Sequence, residues 1–506
     1  MPPRPNILFI QTDQQMAATL GCYGSTICHT PNIDALARDG LLFTNAYASS
    51  PVCAPARASL HTGYYPSKHG ITTNIYTPGC SVHELPDHPS LLGRRLQQLG
   101  YQAGFTGKWH LGFGDERRDH PEYQSHIAAL PVLDWTDAPG ALPSTRGFSG
   151  DDFPGHGGIG LGTPQYRDWL RARGKELTLE KHLEPYPHNW EITSGKDTSV
   201  TYFLTENAIK HMDGFVADGR PFCYLLNYWG PHGPYCAPTE YLDLYRDTKI
   251  PPWPSWDEEQ SNKPTIHDAH RTETTLGWQW EDYEKLLRTY FAAITEIDDM
   301  VGKLVRFLKN RGLYENTLIV FCADHGDSLG VHGGLTDKTL FMYEETNRIP
   351  LIIKEPAPVH RAGQTESAFV GTCDLYSTIL DYAGLPAKEA DRDGTSLRPL
   401  IEGTAGEWRD SIVTEGFGLD FLQHSQRALR WSHFKYVFNG GGPDELYDLT
   451  SDPHEMHNLV FDPARTALLR EAREKLDQWM ATRHDGLRER FHRLRLLDRS
   501  KQSAKD

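Results

Sequence analysis

Four groups of chemically able residues stand just past short apolar runs. Asp13 and Gln14 follow NILFIQT, Lys108 and His110 follow YQAGFTG, His232 lies five residues past FCYLLN, and Asp324 and His325 follow LIVFCA. Singly, each has a plain structural reading: an Asp after a strand caps a turn, and a lone His is more often a satisfied structural residue than a ligand. Four such groups on one sheet edge make a site. Asp13, Gln14, Asp324 and His325 then offer a mainly oxygen ligand set of low formal charge. That suits calcium, with magnesium or manganese next, better than zinc. Lys108, His110, His232 and Lys338 add positive charge around it, the surroundings that a small anionic substrate requires.

A fifth feature is SPVCAPARASLHTG, residues 50–63. Pro51 and Pro55 bracket Cys53 and remove two backbone donors. Ala56 to Leu60 form a helix readily just beyond, and Gly63 can end it. Cys53 is thereby placed at a helix N-terminus, where thiolates and bound anions are stabilised. A buried structural cysteine is the other reading of the same residue.

The elements that must position these groups are legible as alternating strands and helices. Buried strands are expected over 6–11, 101–107, 222–227 and 318–323. YFAAITEIDDMVGKLVRFLKNRG carries Phe291, Ile294, Ile297, Val301, Leu304, Val305 and Leu308 at helical spacing, with Glu296, Asp298 and Asp299 expected on a solvated face. The fold class is α/β, a mostly parallel sheet sandwiched by helices, which places functional groups beyond the carboxyl ends of its strands. Residues 1–400 form the expected catalytic domain. Residues 401–506 form a smaller α+β domain with antiparallel strands, a helix over about 464–480 and an arginine-rich tail from 483, read as a solvated helix or a contact between like subunits. Residues 113–200 read as long loops that face substrate, including GHGGIGLG at 155–162, which lacks the Lys-Ser/Thr of a phosphate loop. Lys108 and His110 are expected on one extended segment, facing the same way.

Composition narrows the partners. The 506 residues carry a formal net charge of −16, with 38% hydrophobic and 11% aromatic residues, so nucleic acid and membrane surfaces are not expected partners. Eight scattered cysteines without a CxxC, and no apolar leader before Ile7, point to reduced thiols and a cytoplasmic location.

The motifs NILFIQTDQQ, TPNIDALARDG, CAPARASLHTG, GKWHLG, GPHGPY, ADHGD and ELYDLTSDPHEMHNL, in their order along the chain, resemble the type I sulfatases. That resemblance implies an alkaline-phosphatase-like α/β domain, a bound divalent cation and hydrolysis of a sulfate monoester. It also implies that a maturation enzyme oxidises Cys53 to formylglycine, whose hydrate is the nucleophile. Carried onto this chain, Asp13, Gln14, Asp324, His325 and an oxygen of residue 53 hold the cation, and Arg57 fixes the aldehyde hydrate. Lys108 grips the sulfate, His110 takes the proton from the second hydroxyl, and His232 and Lys338 serve the leaving alcohol. Asn74 lies where relatives carry a substrate-contacting Asn. Asp13-Gln14 and Asp324-His325 depart from the commoner acid pair and Asn, and such pairings also occur in phosphonate monoester hydrolases and choline sulfatases.

Overall fold

The computed structural model describes residues 4–75, 77, 80, 82–112, 140–153, 158–160, 162–181, 188–338, 341–385, 392–419 and 422–496. Its centre is a sheet of eight strands: β1 (Asn6–Asp13), β2 (Leu41–Phe43), β3 (Gln102–Gly107), β4 (Ser149–Gly150), β5 (Phe222–Pro231), β6 (Thr317–Ala323), β7 (Leu351–Lys354) and β8 (Gln364–Glu366). They lie in the order β8-β2-β7-β6-β1-β5-β3-β4. β1 pairs in parallel with β6 and with β5, and β5 pairs in parallel with β3. β7 runs against both of its neighbours.

Six helices matter for the site: α1 (Pro31–Asp39), α2 (Cys53–Thr62), α3 (Val200–Asp218), α4 (Trp280–Asn310), α5 (Thr372–Tyr382) and α6 (Thr466–Thr482). Ile7, Leu8, Phe9 and Ile10 are all buried because the sheet is covered on both faces. Ile7 and Phe9 join Leu225 and Val320 beneath α2 and α5, whereas Leu8 and Ile10 join Leu226 and Phe321 beneath α1, α3 and α4. The period-two alternation of a strand therefore divides one apolar run between two cores. A second sheet, β9 (Ser411–Leu419), β10 (Leu422–Trp431), β11 (Phe434–Asn439) and β12 (Glu445–Asp448), is an antiparallel meander. α6 packs Ala472, Leu476 and Met480 against its Val413, Leu429, Tyr436 and Leu446.

Four expectations need correction. Glu296 and Asp298 of α4 do not face solvent; both are buried. Asp298 accepts hydrogen bonds from the N–H groups of Asn32 (2.9 Å) and Ile33 (2.7 Å), the open donors at the start of α1, and Glu296 accepts from Ser199, the cap of α3. α4 uses these acids to cap its neighbours, a tertiary role that its own periodicity cannot reveal. The stretch 113–200 is not all loop: a helix over Pro164–Ala172 and strands Leu179–Lys181 and Asn189–Ile192 lie in it, while 113–139, 154–157, 161 and 182–187 fall outside the described residues. α2 starts at Cys53 rather than beyond Pro55, because a proline in the first turn forfeits no intrahelical bond. β5 runs on to Pro231, so His232 follows it directly. Of the arginine-rich tail, 497–506 lie outside the described residues.

Candidate active site

β1 and β6 are in register so that Thr12 pairs with Ala323, which brings Asp13 beside Asp324 at the carboxyl edge. Gln14 has φ 61°, a left-handed conformation uncommon for a residue with a Cβ. It is held there by its N–H on Asp324 Oδ1 (3.0 Å) and by the Tyr290 hydroxyl on its carbonyl (2.7 Å). The same Tyr290 oxygen accepts from the N–H of Met16 at 3.1 Å. A strained backbone locked from both sides is the kind of structure that functional sites retain.

β3 delivers Lys108. Gly107 has φ 107°, and a Cβ there would lie 1.8 Å from the carbonyl oxygen of Asn227, so only glycine lets β3 approach β5 closely enough for the Lys108 N–H to reach that oxygen at 2.8 Å. The Lys108 ammonium pairs with Asp13 Oδ2. The expected extended geometry fails one residue later. Trp109 turns into the core, its indole N–H on the carbonyl of Ala141 at 2.8 Å, and His110 is left-handed at φ 52°. Lys108 and His110 are both buried, but no strand alternation relates them.

Cys53 opens α2 and is buried, with Sγ 3.1 Å from His325 Nε2 and 3.8 Å from Asp13 Oδ1. His325 Nδ1 donates to the carbonyl of Gly326 at 2.9 Å, which leaves Nε2 facing the cysteine and the two aspartates. Arg57, one turn into α2, donates through Nη1 to the carbonyl of Lys108 (3.0 Å) and pairs through Nη2 with Asp324 Oδ2 (2.8 Å). Asn74 Oδ1 accepts from the N–H of Ala54 at 3.3 Å, so it covers the first turn of α2 beside the cysteine. One ligand atom each of Asp13, Cys53, Asp324 and His325 lies within 4.8 Å of the others, and all four residues are buried. Two carboxylates, an imidazole of fixed tautomer and the residue-53 side chain converging on one point fit a divalent cation.

On the far side of this point, Lys338 Nζ lies 2.7 Å from His232 Nε2 and also donates to Gln14 Oε1. Sequence reasoning missed two acids here. Gln14 Nε2 donates to Asp327 Oδ2 (2.7 Å) and to Asp337 Oδ1 (2.9 Å), and the Tyr235 hydroxyl donates to the same Asp327 oxygen at 3.1 Å. Both acids belong to recognisable motifs, ADHGD and the residue before Lys338, so their signal was present in the sequence without its partner.

Charge decides the protonation states. Burial opposes a Cys53 thiolate, but Lys108 and Lys338 outweigh it and hold the thiol below its ordinary range. Burial also opposes a charged His325, yet Asp324 and the cysteine raise its pKa. Burial and then the Lys338 ammonium push His232 well below the usual imidazole value, so it sits neutral and accepts from Lys338. Burial, reinforced by Asp337, lifts Asp327 to about 6. All eight cysteines are free, as expected.

A second group, His332, Glu345 and Glu455, also brings ligand-type atoms together. Here each charge already has a partner: His332 Nδ1 with Glu258 (2.8 Å), Glu258 with Lys263 (3.0 Å) and Glu455 with Lys435 (2.7 Å). It is a cross-link between the segments around 258–263 and 332–345 and Lys435 of the C-terminal meander.

The sheet, its covered faces and an anion-attracting site at the carboxyl edge define an alkaline-phosphatase-like hydrolase. Residues 5–385 match the family model described as sulfatase, and residues 330–482 match N-sulphoglucosamine sulphohydrolase, C-terminal. The chain is 30% identical to an uncharacterized sulfatase of Escherichia coli (strain K12), covering 91% of this chain and 84% of that one. It is also 30% identical to a multifunctional alkaline phosphatase superfamily protein of Trinickia caryophylli, covering 95% and 96%. Among solved structures it is similar to a phosphonate monoester hydrolase of Agrobacterium radiobacter, with a TM-score of 0.76 at 26% identity over 95% of this chain and 96% of that one. The chain belongs to the sulfatase family and is a sulfuric ester hydrolase. Among the described residues no helix is long and apolar enough to cross a membrane.

Proposed function

We propose that this protein hydrolyses an aryl or carbohydrate sulfate monoester, using Cys53 matured to formylglycine and a divalent cation, calcium before magnesium or manganese. The observation that carries the reading is the placement of Cys53 at the buried N-terminus of α2, with the ligand atoms of Asp13, Asp324 and His325 around it. When bound, the cation supplies Lewis acidity and charge neutralisation at a sulfate oxygen. Asp13, Gln14, Asp324 and His325 hold it, and the oxygen-rich set favours a hard ion. The aldehyde hydrate at residue 53 supplies two hydroxyls. One gives up its proton and attacks sulfur, breaking the bond from sulfur to the alcohol oxygen, which takes up a proton as it leaves; loss of the proton from the other breaks the carbon–oxygen bond to sulfate and restores the aldehyde.

The chain's own groups divide the rest. Arg57 holds Asp324 and the Lys108 carbonyl in place and screens the carboxylates. Lys108 binds a sulfate oxygen opposite Asp13, and His110 takes the proton from the second hydroxyl. Lys338, donating to neutral His232, holds a proton for the departing alkoxide. The free thiols agree with a reducing compartment, the cytoplasm, where a separate maturation enzyme would act on Cys53. Mass spectrometry of the peptide containing Cys53, from protein produced with that maturation enzyme, tests the reading: the aldehyde is expected, and unmodified cysteine throughout overturns it.

One observation favours a second reading. Gln14 in place of an acid, together with the likeness to a phosphonate monoester hydrolase, suits a phosphonate or phosphodiester substrate at the same nucleophile. Comparing kcat/KM on an aryl sulfate and on a matched phenyl phosphonate decides between them. Lys108→Ala is expected to lower the sulfate value about a hundredfold and the phosphonate value less. Equal losses, or a parent that prefers the phosphonate, would favour the second reading.

A further inference from the structure

The carboxamide of Gln14 is held at every polar atom. Its Nε2 has two hydrogens, and two carboxylates take them, Asp327 at 2.7 Å and Asp337 at 2.9 Å. Its Oε1 accepts from the Lys338 ammonium. Reversing the amide would set an oxygen against two carboxylates and an NH2 against an ammonium, so this network fixes its orientation. Asp327 is fully buried, anchored by the Tyr235 hydroxyl and by its own N–H on the carbonyl of Glu345 at 3.1 Å. Asp337 reaches in from a loop residue that is itself left-handed, φ 63°, and pairs with Lys338 at 3.2 Å.

We propose that Asp327 and Asp337 are positioning residues that clamp Gln14 with its amide oxygen turned toward Lys338 and the cation site, and that this clamp is what requires an amide rather than a carboxylate at position 14. A glutamate there would set a third carboxylate against Asp327 and Asp337 at hydrogen-bond distance, in place of the N–H group that each now accepts from. At buried positions that repulsion outweighs the extra attraction a further acid offers a cation. Position 14 and position 327 are therefore coupled: an acid at one demands a neutral donor at the other. This inference rests on the reading of Gln14 as a cation ligand.

Calcium titration of the metal-stripped full-length protein by calorimetry tests it without reference to turnover. The parent is expected to bind one ion. Gln14→Glu is expected to weaken binding about tenfold to a hundredfold, the usual scale for a lost outer contact to a ligand. In the double variant Gln14→Glu with Asp327→Asn, the amide introduced at position 327 can donate to the carboxylate introduced at position 14, and most of that loss should return. Gln14→Glu with Asp337→Asn, at a half-exposed side chain, offers the same donor with less risk to folding and serves if Asp327→Asn is poorly stable. Thermal melting of each variant separates lost affinity from lost structure. A Gln14→Glu protein that binds calcium as tightly as the parent, or a double variant no better than the single, overturns the clamp. A parent that binds no calcium overturns the cation reading instead.

Discussion

Two buried clusters of charge bring histidine and carboxylates together, and they differ in what shares the point between the ligand atoms. Around Cys53 the side chains of Asp13, Asp324 and His325 point at one another and at the cysteine sulfur, so that ligand atoms crowd within 4.8 Å. Around His332 the charges pair off: Glu258 with Lys263, Glu455 with Lys435. Convergence leaves electrostatic demand at a point, which a cation and an anionic substrate can meet. Asp13 and Asp324 carry counter-ions as well, Lys108 and Arg57, but Cys53 at the start of α2 shares their point, and no cysteine shares the other. Both clusters contain histidine and carboxylates at metal-like spacing, so residue type alone does not distinguish a reaction centre from a cross-link. The cysteine placed among them at a helix N-terminus does.

The largest expected effect lies in the convergent cluster. Cys53→Ala should lower kcat/KM on an aryl sulfate by at least about a thousandfold, the scale for removing a nucleophile whose neighbours act with it as a unit. The fold should survive, because Cys53 contributes one small side chain to the core. Asp324→Ala should abolish bound metal, measured by elemental analysis, and turnover with it. Arg57 would then lose its 2.8 Å partner, so a drop in melting temperature is expected too. Residual turnover of Cys53→Ala near the parent's level would mean that the convergence has another purpose.

The paired cluster should behave in reverse. Lys435 is fully buried, 2.7 Å from Glu455 and 3.3 Å from Glu344. Lys435→Met leaves Glu455 without its cation and Glu344 with Arg430 at 3.4 Å and Arg348 at 3.9 Å, and breaking a buried pair in this way destabilises a protein by about 3–5 kcal/mol. Denaturant unfolding should show that loss, while kcat/KM measured well below the unfolding midpoint should stay close to the parent's. A variant that kept its stability and lost turnover would dissolve the distinction between the clusters.

Much of this was legible in the chain. β1, β3, β5 and β6 showed as short apolar runs because a strand buried on both faces has no polar side to interrupt it, and the groups just past them fell on one edge. Cys53 at a helix start could be read from its flanking prolines. What could not be read depends on contacts across the fold. The clamp joins Gln14 to acids 313 and 323 positions away. The left-handed turn at His110 follows from Trp109 seeking the carbonyl of Ala141, and the acids of α4 look solvated until α1 and α3 arrive to be capped.

One of those acids gives the finest test of the comparison, because it belongs to neither cluster. Glu296 is buried against the Ser199 hydroxyl, and among the described residues no cation pairs with it. Burial raises its pKa from 4.5 to about 8. A carboxyl whose folded pKa lies above its unfolded value binds a proton in the native state that the unfolded chain has released. Stability therefore falls as pH rises from about 4.5 to about 8, by up to about 1.4 kcal/mol per unit, and levels off beyond. Glu296→Gln keeps an oxygen for Ser199 and removes the ionisation. Its stability should match the parent's near pH 4.5 and exceed it progressively up to pH 8, by a few kcal/mol at most. Unfolding midpoints of the two proteins across that range make the measurement, and the difference between them cancels every other titrating group. A difference that stayed flat with pH would mean that Glu296 has found a counter-ion, and that it belongs with the paired cluster after all.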